Sequence, residues 1–173
     1  DDMRAFLAIP MPEETAEALV SIQSRLPAGR AVPEENLHLT LAFLGDTDEE
    51  VLAEIDEALS ATRLPVAEIA FGGLDTFAEM ERGLVFVTVL PDEGLLTLQA
   101  KVERISRMAG VNLPRRRFRP HVTLVRSNRQ PKGPARDRTA AALGMSVNVP
   151  GFTATEVVLY RSTLGGSGAL HEP

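Results

Sequence analysis

Apolar residues recur along this chain with two periods, and the switches between the periods mark out its elements. MRAFLAIPM (3–11) is dense in apolar side chains and closed by prolines, and it predicts a strand. In PEETAEALVSIQSRL (12–26), Ala16, Leu19, Val20, Ile22 and Leu26 fall on one helical face. Pro12 suits the first turn of that helix, and the acids after it complement the partial positive charge of its N-terminus. PAGRAVPEE (27–35) reads as a loop, and NLHLTLAFLG (36–45) as the next strand, breaking at Gly45. Thr47 and Glu50 form a capping-box pattern for a helix through Ala61, with Val51, Leu52, Ile55, Ala58 and Leu59 as its buried stripe.

The second half continues in the same manner. PVAEIAFGGLDTF (65–77) predicts a strand with a bulge or turn at its glycine pair, and LVFVTVL (84–90) another strand. DEGLLTLQAKVERISRMAG (92–110) predicts a helix ended by Gly110. FRPHVTLVR (118–126) reads as a strand, and MSVNVPGFTATEVVLYRSTL (145–164) as two strands around a Pro-Gly turn, followed by a GGSG hairpin. Both halves mix helices with strands, each carries one histidine-bearing strand, and no low-complexity linker divides them. The expectation is an α+β protein of two similar lobes forming a single domain over 1–173.

Composition adds exclusions. At 173 residues with 44% hydrophobic and 24% charged, the chain fits a globular protein with a sizeable core. It has no Cys, which removes disulfides, thiolate metal ligands and a Cys nucleophile, and fits a cytoplasmic setting. No apolar run approaches the roughly 18 residues of a membrane helix, and MRAFLAIPMP is too short for a signal peptide, so no membrane association is expected. The net charge of −6 argues weakly against nucleic acid, but it is unevenly spread. Arg115 to Arg138 holds nine basic residues against one acid, Asp137, so that window carries +8 and the remainder −14. A solvated loop is the plain reading of such a run, but a histidine, His121, sits inside it.

Two of the three histidines head the same pattern: His38-Leu39-Thr40-Leu41 and His121-Val122-Thr123-Leu124. A given histidine meets H-x-T-L by chance on the order of once in a hundred, so the matched pair is not accidental. A single strand histidine of this sort is ordinarily a half-buried ring bonded to a carbonyl. As a pair, each strand presents an imidazole and a hydroxyl on one face, roughly 6.5–7 Å apart. Two such strands around one small volume provide a proton acceptor, a proton donor and two uncharged hydroxyl anchors, a set suited to a phosphate. Arg126, five residues after His121, lies on the opposite face of an ideal strand; a strand end or bend bringing it round would supply positive charge to a five-coordinate phosphorus. A metal site is disfavoured because neither histidine has a carboxylate or thiolate at ligand spacing, and a serine triad because no G-x-S-x-G elbow occurs.

At these residues the sequence resembles the 2H phosphoesterase superfamily, and more closely its RNA 2′,3′-cyclic phosphodiesterase, or 2′-5′ RNA ligase, family. MRAFLAIPMPEE, PEENLHLTLAFLGD, FRPHVTLVR and VVLYRSTLGGSGALHE fall in that family's order, so the likeness spans essentially the whole chain. It implies a bilobal fold in which two antiparallel sheets face a central cleft, with helices packed outside. It also implies hydrolysis of RNA 2′,3′-cyclic phosphate ends to 2′-phosphomonoesters without metal or cofactor, in some members with reversible 2′-5′ ligation. The partners implied are RNA ends or cyclic nucleotides, and the protein is expected to be a monomer. His38 and His121 would be the acid–base pair, with His38 the acid and His121 the base. Thr40 and Thr123 would anchor the phosphate and Arg126 would contact phosphate or base. Phe43 is either a stacking surface or a core residue, and Arg115, Arg116, Arg117 and Arg119 are candidates for guiding an RNA backbone. The chain departs from relatives in having no Trp, with Ala31, Val32 and GLVFVTV where relatives carry one, and in ending LHEP, with His171 where an aromatic is usual. Alternatives are a phosphodiesterase of another cyclic or 2′-5′-linked nucleotide, or a non-catalytic RNA-end binding module.

Overall fold

The structure, a computed structural model, describes residues 2–26, 29–76, 84–126, 133–163 and 170–171. Its elements are β1 (Asp2–Pro10), α1 (Glu13–Gln23), β2 (Arg30–Ala31), a 3₁₀ turn (Glu34–Asn36), β3 (His38–Asp48) and α2 (Glu49–Ala61). They continue with β4 (Ala67–Ile69), β5 (Phe71–Asp75), β6 (Leu84–Val89), α3 (Glu93–Met108), β7 (His121–Arg126) and α4 (Pro134–Leu143), and end with β8 (Phe152–Ala154), β9 (Val158–Thr163) and β10 (Leu170–His171). The GGSG hairpin and residues 127–132 of the basic window lie outside the described residues.

An antiparallel sheet runs in the order β10-β9-β1-β3-β7-β6-β5, with the short β2 also paired to β7, and β4 and β8 form a separate ribbon. This is the expected α+β architecture. Its two halves meet at a single pair of residues, Leu39 opposite Val122, so the strands that carry the histidines form the joint. Leu39 and Val122 are both fully buried, and they join Leu7, Ile9, Val87 and Leu124 beneath the sheet. Burying each such side chain stabilises the fold by about 1.5–3 kcal/mol. The helices cross over, with α1 packing against β7 and α3 against β3. Leu19 and Ile22 of α1, and Leu95, Leu98 and Val102 of α3, provide the buried helical stripes.

Several local expectations changed. The cap of α2 is Asp48, whose carboxylate accepts from Glu50 N–H at 3.3 Å, while the Thr47 hydroxyl donates to the Leu44 and Gly45 carbonyls. An acidic side chain at the helix entrance outcompetes a hydroxyl already committed backwards. The strand through the first motif does not stop at Gly45; it continues to Asp48 through a bulge, where Gly45 adopts φ of 70°. PVAEIAFGGLDTF divides at Ala70 into β4 and β5, which join different sheets, and β5 is irregular across its glycine pair. The segment before Pro150 is not a strand, and β8 begins only at Phe152, where it pairs with β4. Within the loop predicted at 27–35, Arg30–Ala31 pairs with β7. α4 is alanine-rich and Pro134 opens it.

Candidate active site

The site follows from the register of four strands. β1 sets Ala8 opposite Thr40, then Leu7 opposite Ala42 and Phe6 opposite Phe43, so Leu41 is passed over. One extra residue shifts the alternation by one. Phe43, which simple alternation groups with Leu39 and Leu41 towards the core, therefore shares a face with His38 and Thr40. It is 57% exposed, so it is not a core phenylalanine. β7 repeats the device. Val87 lies opposite Val122, Phe86 opposite Thr123, Val85 opposite Val125 and Leu84 opposite Arg126, so Leu124 is passed over. That bulge carries Arg126 round to the face of His121 and Thr123, removing the obstacle of its odd spacing. In both strands the bulge falls on the fourth residue of H-x-T-L, and the fifth residue after the histidine is the one redirected.

The Leu39–Val122 joint then fixes how the motifs face each other. Strands running in opposite senses through that pair set His38 beside Thr123, and Thr40 beside His121. The two histidines occupy one diagonal of the resulting quadrilateral and the two threonines the other, about a pseudo-twofold axis at the joint.

Each imidazole is held in the same way. His38 Nδ1 lies 2.5 Å from the Asn36 carbonyl, and His121 Nδ1 lies 2.6 Å from the Arg119 carbonyl. A carbonyl only accepts, so Nδ1 carries a proton in both rings and Nε2 is the nitrogen at which proton transfer takes place. The flanking residues that sequence reasoning missed are aromatic. His38 stacks on Phe6 with centroids 4.6 Å apart, and Tyr160 stands 5.7 Å away. His121 is tilted against Phe86 at 4.8 Å. Phe6 and Phe86 are legible only once the cross-strand partners are known, although Tyr160 is the sole tyrosine of the chain.

Electrostatics bear on His121. Burial holds the His121 pKa below the usual histidine value of 6.5, with Arg119 and Arg126 adding repulsion against a bonded backbone carbonyl that favours the charged form. Arg126 is exposed as a residue, but its guanidinium is partly enclosed, and that burial lowers its pKa. Burial, followed by the nearby Glu156 carboxylate, pushes the Tyr160 phenol up.

Beside the joint, where β3 and β7 splay apart, opens a cavity of about 590 Å³. Thr40, Phe43 and His121 line it from the motif strands, with Arg116, Arg117 and Arg119 on the loop before β7. Gln99 and Glu103 of α3 close it from behind. Arg115 is exposed on the same loop and does not line the cavity. Among the described residues, no three His, Asp or Glu side chains converge as a metal site, and no helix is long and apolar enough to cross a membrane.

Comparison with known proteins bears on this arrangement. The 2′-5′ RNA ligase superfamily matches residues 11–166. An RNA 2′,3′-cyclic phosphodiesterase of Geobacillus stearothermophilus is 32% identical over 92% of the chain, which spans about half (52%) of that relative's length. The enzyme of the same name from Thermus thermophilus is 33% identical over 98% of this chain and 86% of its own. In fold, the chain resembles the crystal structure of Escherichia coli LigT in its apo form, with a TM-score of 0.76 at 24% identity, over 100% of this chain and 95% of that one. With both H-x-T-L strands meeting at the joint of that shared fold, and a family match across nearly its whole length, the chain belongs to the 2′-5′ RNA ligase superfamily.

Proposed function

We propose that this protein hydrolyses RNA 2′,3′-cyclic phosphate ends to 2′-phosphomonoesters, using His121 as general base and His38 as general acid. The observation that carries the reading is the diagonal placement of two identically tethered imidazoles about the Leu39–Val122 joint. Displacement at phosphorus requires the entering and leaving oxygens on opposite sides, and groups related by a twofold axis stand on opposite sides of whatever lies on it. The names of the relatives support the substrate class.

The division of roles follows the family resemblance, and the lowered pKa of His121 supports it for the base. A depressed pKa keeps His121 neutral near pH 7, with Nδ1–H donating to Arg119 and the Nε2 lone pair available to take a proton from water. Water attacks phosphorus and the P–O3′ bond breaks. The cationic form of His38, its Nδ1–H held by Asn36, donates its Nε2 proton to the departing 3′ oxygen. The faces of Phe6 and Tyr160 hold that ring in plane, and electron-rich surfaces suit a ring that carries charge. Thr40 and Thr123 hydroxyls anchor the non-bridging oxygens, and Arg126 offsets the charge that builds on them. Each turnover exchanges the protonation states of the two histidines, and solvent restores them.

The test is incubation of the protein with adenosine 2′,3′-cyclic phosphate, and with an RNA ending in a 2′,3′-cyclic phosphate, in the presence of EDTA. The expected product is the 2′-monoester in both cases. Formation of the 3′-monoester, or loss of turnover on chelation, would overturn the mechanism. Binding without product would favour an RNA-end binding module instead.

A further inference from the structure

The two bulges share a feature that the phosphoesterase chemistry does not itself call for. Each leaves a leucine carbonyl at the fourth motif position, and each carbonyl is met by a glutamine from the helix packed behind that strand. Gln23, the last residue of α1, donates its Nε2 to the Leu124 carbonyl at 2.9 Å and to the Val32 carbonyl at 2.8 Å. Gln99, within α3, donates its Nε2 to the Leu41 carbonyl at 3.1 Å. The same group lies 2.6 Å from a Glu103 carboxylate oxygen. Glu103 is ion-paired with Arg107, whose guanidinium reaches the Leu113 carbonyl at 3.5 Å.

The surroundings of the two glutamines differ. Val32 N–H also donates to the Leu124 carbonyl at 2.9 Å, and β2 pairs with β7 just beyond it, so the second bulge is held from several directions. The first bulge faces the cavity, and Gln99 is its side-chain tie to the helix behind. What the first bulge controls is Phe43. With Leu41 passed over, Phe43 stands exposed in the cavity beside Thr40 and His121; without the bulge, alternation returns it to the core side.

We propose that Gln99 is a positioning residue for substrate recognition: by holding the Leu41 carbonyl it fixes the bulge that presents Phe43 to the nucleobase of the nucleotide bearing the cyclic phosphate. The inference rests on the phosphodiesterase reading. An exposed aromatic ring beside a phosphate site is a stacking platform for any base, so the contact contributes affinity with little base preference. Glu103 and Arg107 extend the tie to the loop carrying Arg116, Arg117 and Arg119, so the aromatic and cationic walls of the cavity are braced by one helix.

The experiment is steady-state hydrolysis of adenosine 2′,3′-cyclic phosphate by wild type, Gln99→Met, Phe43→Ala and the double variant. A base-free ribose 2,3-cyclic phosphate serves as the comparison substrate. Gln99→Met is expected to raise KM for the nucleotide about tenfold, the scale of one stacked base, with kcat within about threefold. It should leave kcat/KM for the base-free substrate and both limbs of the pH profile unchanged. The double variant should be no worse than Phe43→Ala alone, because the two changes remove one contact. Gln99→Lys, which keeps a donor, should restore KM, and Gln99→Ala serves as a second donor-free variant. Multiplying KM effects in the double variant, or equal losses on both substrates, would overturn the role of Gln99. A wild-type chain that turns over neither substrate would instead overturn the phosphodiesterase reading on which it rests.

Discussion

β3 and β7 are two versions of one strand, and the comparison shows where a repeated backbone can be specialised. Both carry H-x-T-L, tie Nδ1 to the carbonyl two residues back, bulge at the final leucine and redirect the fifth residue after the histidine. On β7 that residue is a cation, Arg126, and on β3 an aromatic, Phe43. The wedge on the β7 side is filled by β2, while the one on the β3 side is left open as the cavity. One backbone device thus turns a cation onto the face of one histidine and an apolar ring into the cavity.

The largest effects should come from the elements the strands share. His38→Ala and His121→Ala are each expected to lower kcat/KM by about 10²–10⁴, the usual worth of a positioned general acid or base. The double variant should be little worse than either, since half a relay transfers no proton productively. Near-native turnover by either single variant would break the comparison at its base.

Arg126→Gln tests the β7 specialisation. The predicted loss is on the order of a hundredfold to a thousandfold in kcat/KM, as for one donor to developing oxyanion charge. The same change also removes one of the repulsions that depress His121. Activity rises on the acid side as His121 loses its proton, so the acid limb of wild type lies below the usual histidine range, and Arg126→Gln should move it to higher pH. A loss of rate with an unmoved acid limb would separate Arg126 from His121.

A smaller effect distinguishes the two glutamines. Gln23→Met leaves two backbone carbonyls short of a donor in a buried setting and should cost about 1–3 kcal/mol of stability. Gln99→Met, at a half-buried position lining the cavity, should cost less than about 1 kcal/mol. Urea denaturation of both variants would show it, and equal losses would mean that the two bulges are held alike.

The motif strands, and β1 and β6 as separate strands, were legible because strand periodicity and a repeated four-residue pattern are local properties of the chain. The bulges were not, because they belong to pairing across strands. From sequence, Arg126 fell on the wrong face and Phe43 was divided between core and site, and only the registers with β6 and β1 decide both. Gln23 and Gln99 look like polar positions on helix surfaces, and their value depends on which carbonyls the packing brings within reach. α4 escaped notice because alanine propensity rather than an apolar stripe supports it, and β2 because two residues are a strand only by virtue of their neighbour.

Near-identical strands are expected to perform opposite proton transfers, and the pH dependence of kcat/KM for adenosine 2′,3′-cyclic phosphate checks this. Wild type should give a bell. The residual activity of His121→Ala should lose the acid limb and keep the alkaline one, and that of His38→Ala should lose the alkaline limb and keep the acid one. Reversed limbs, or a bell unchanged in either variant, would contradict the assignment.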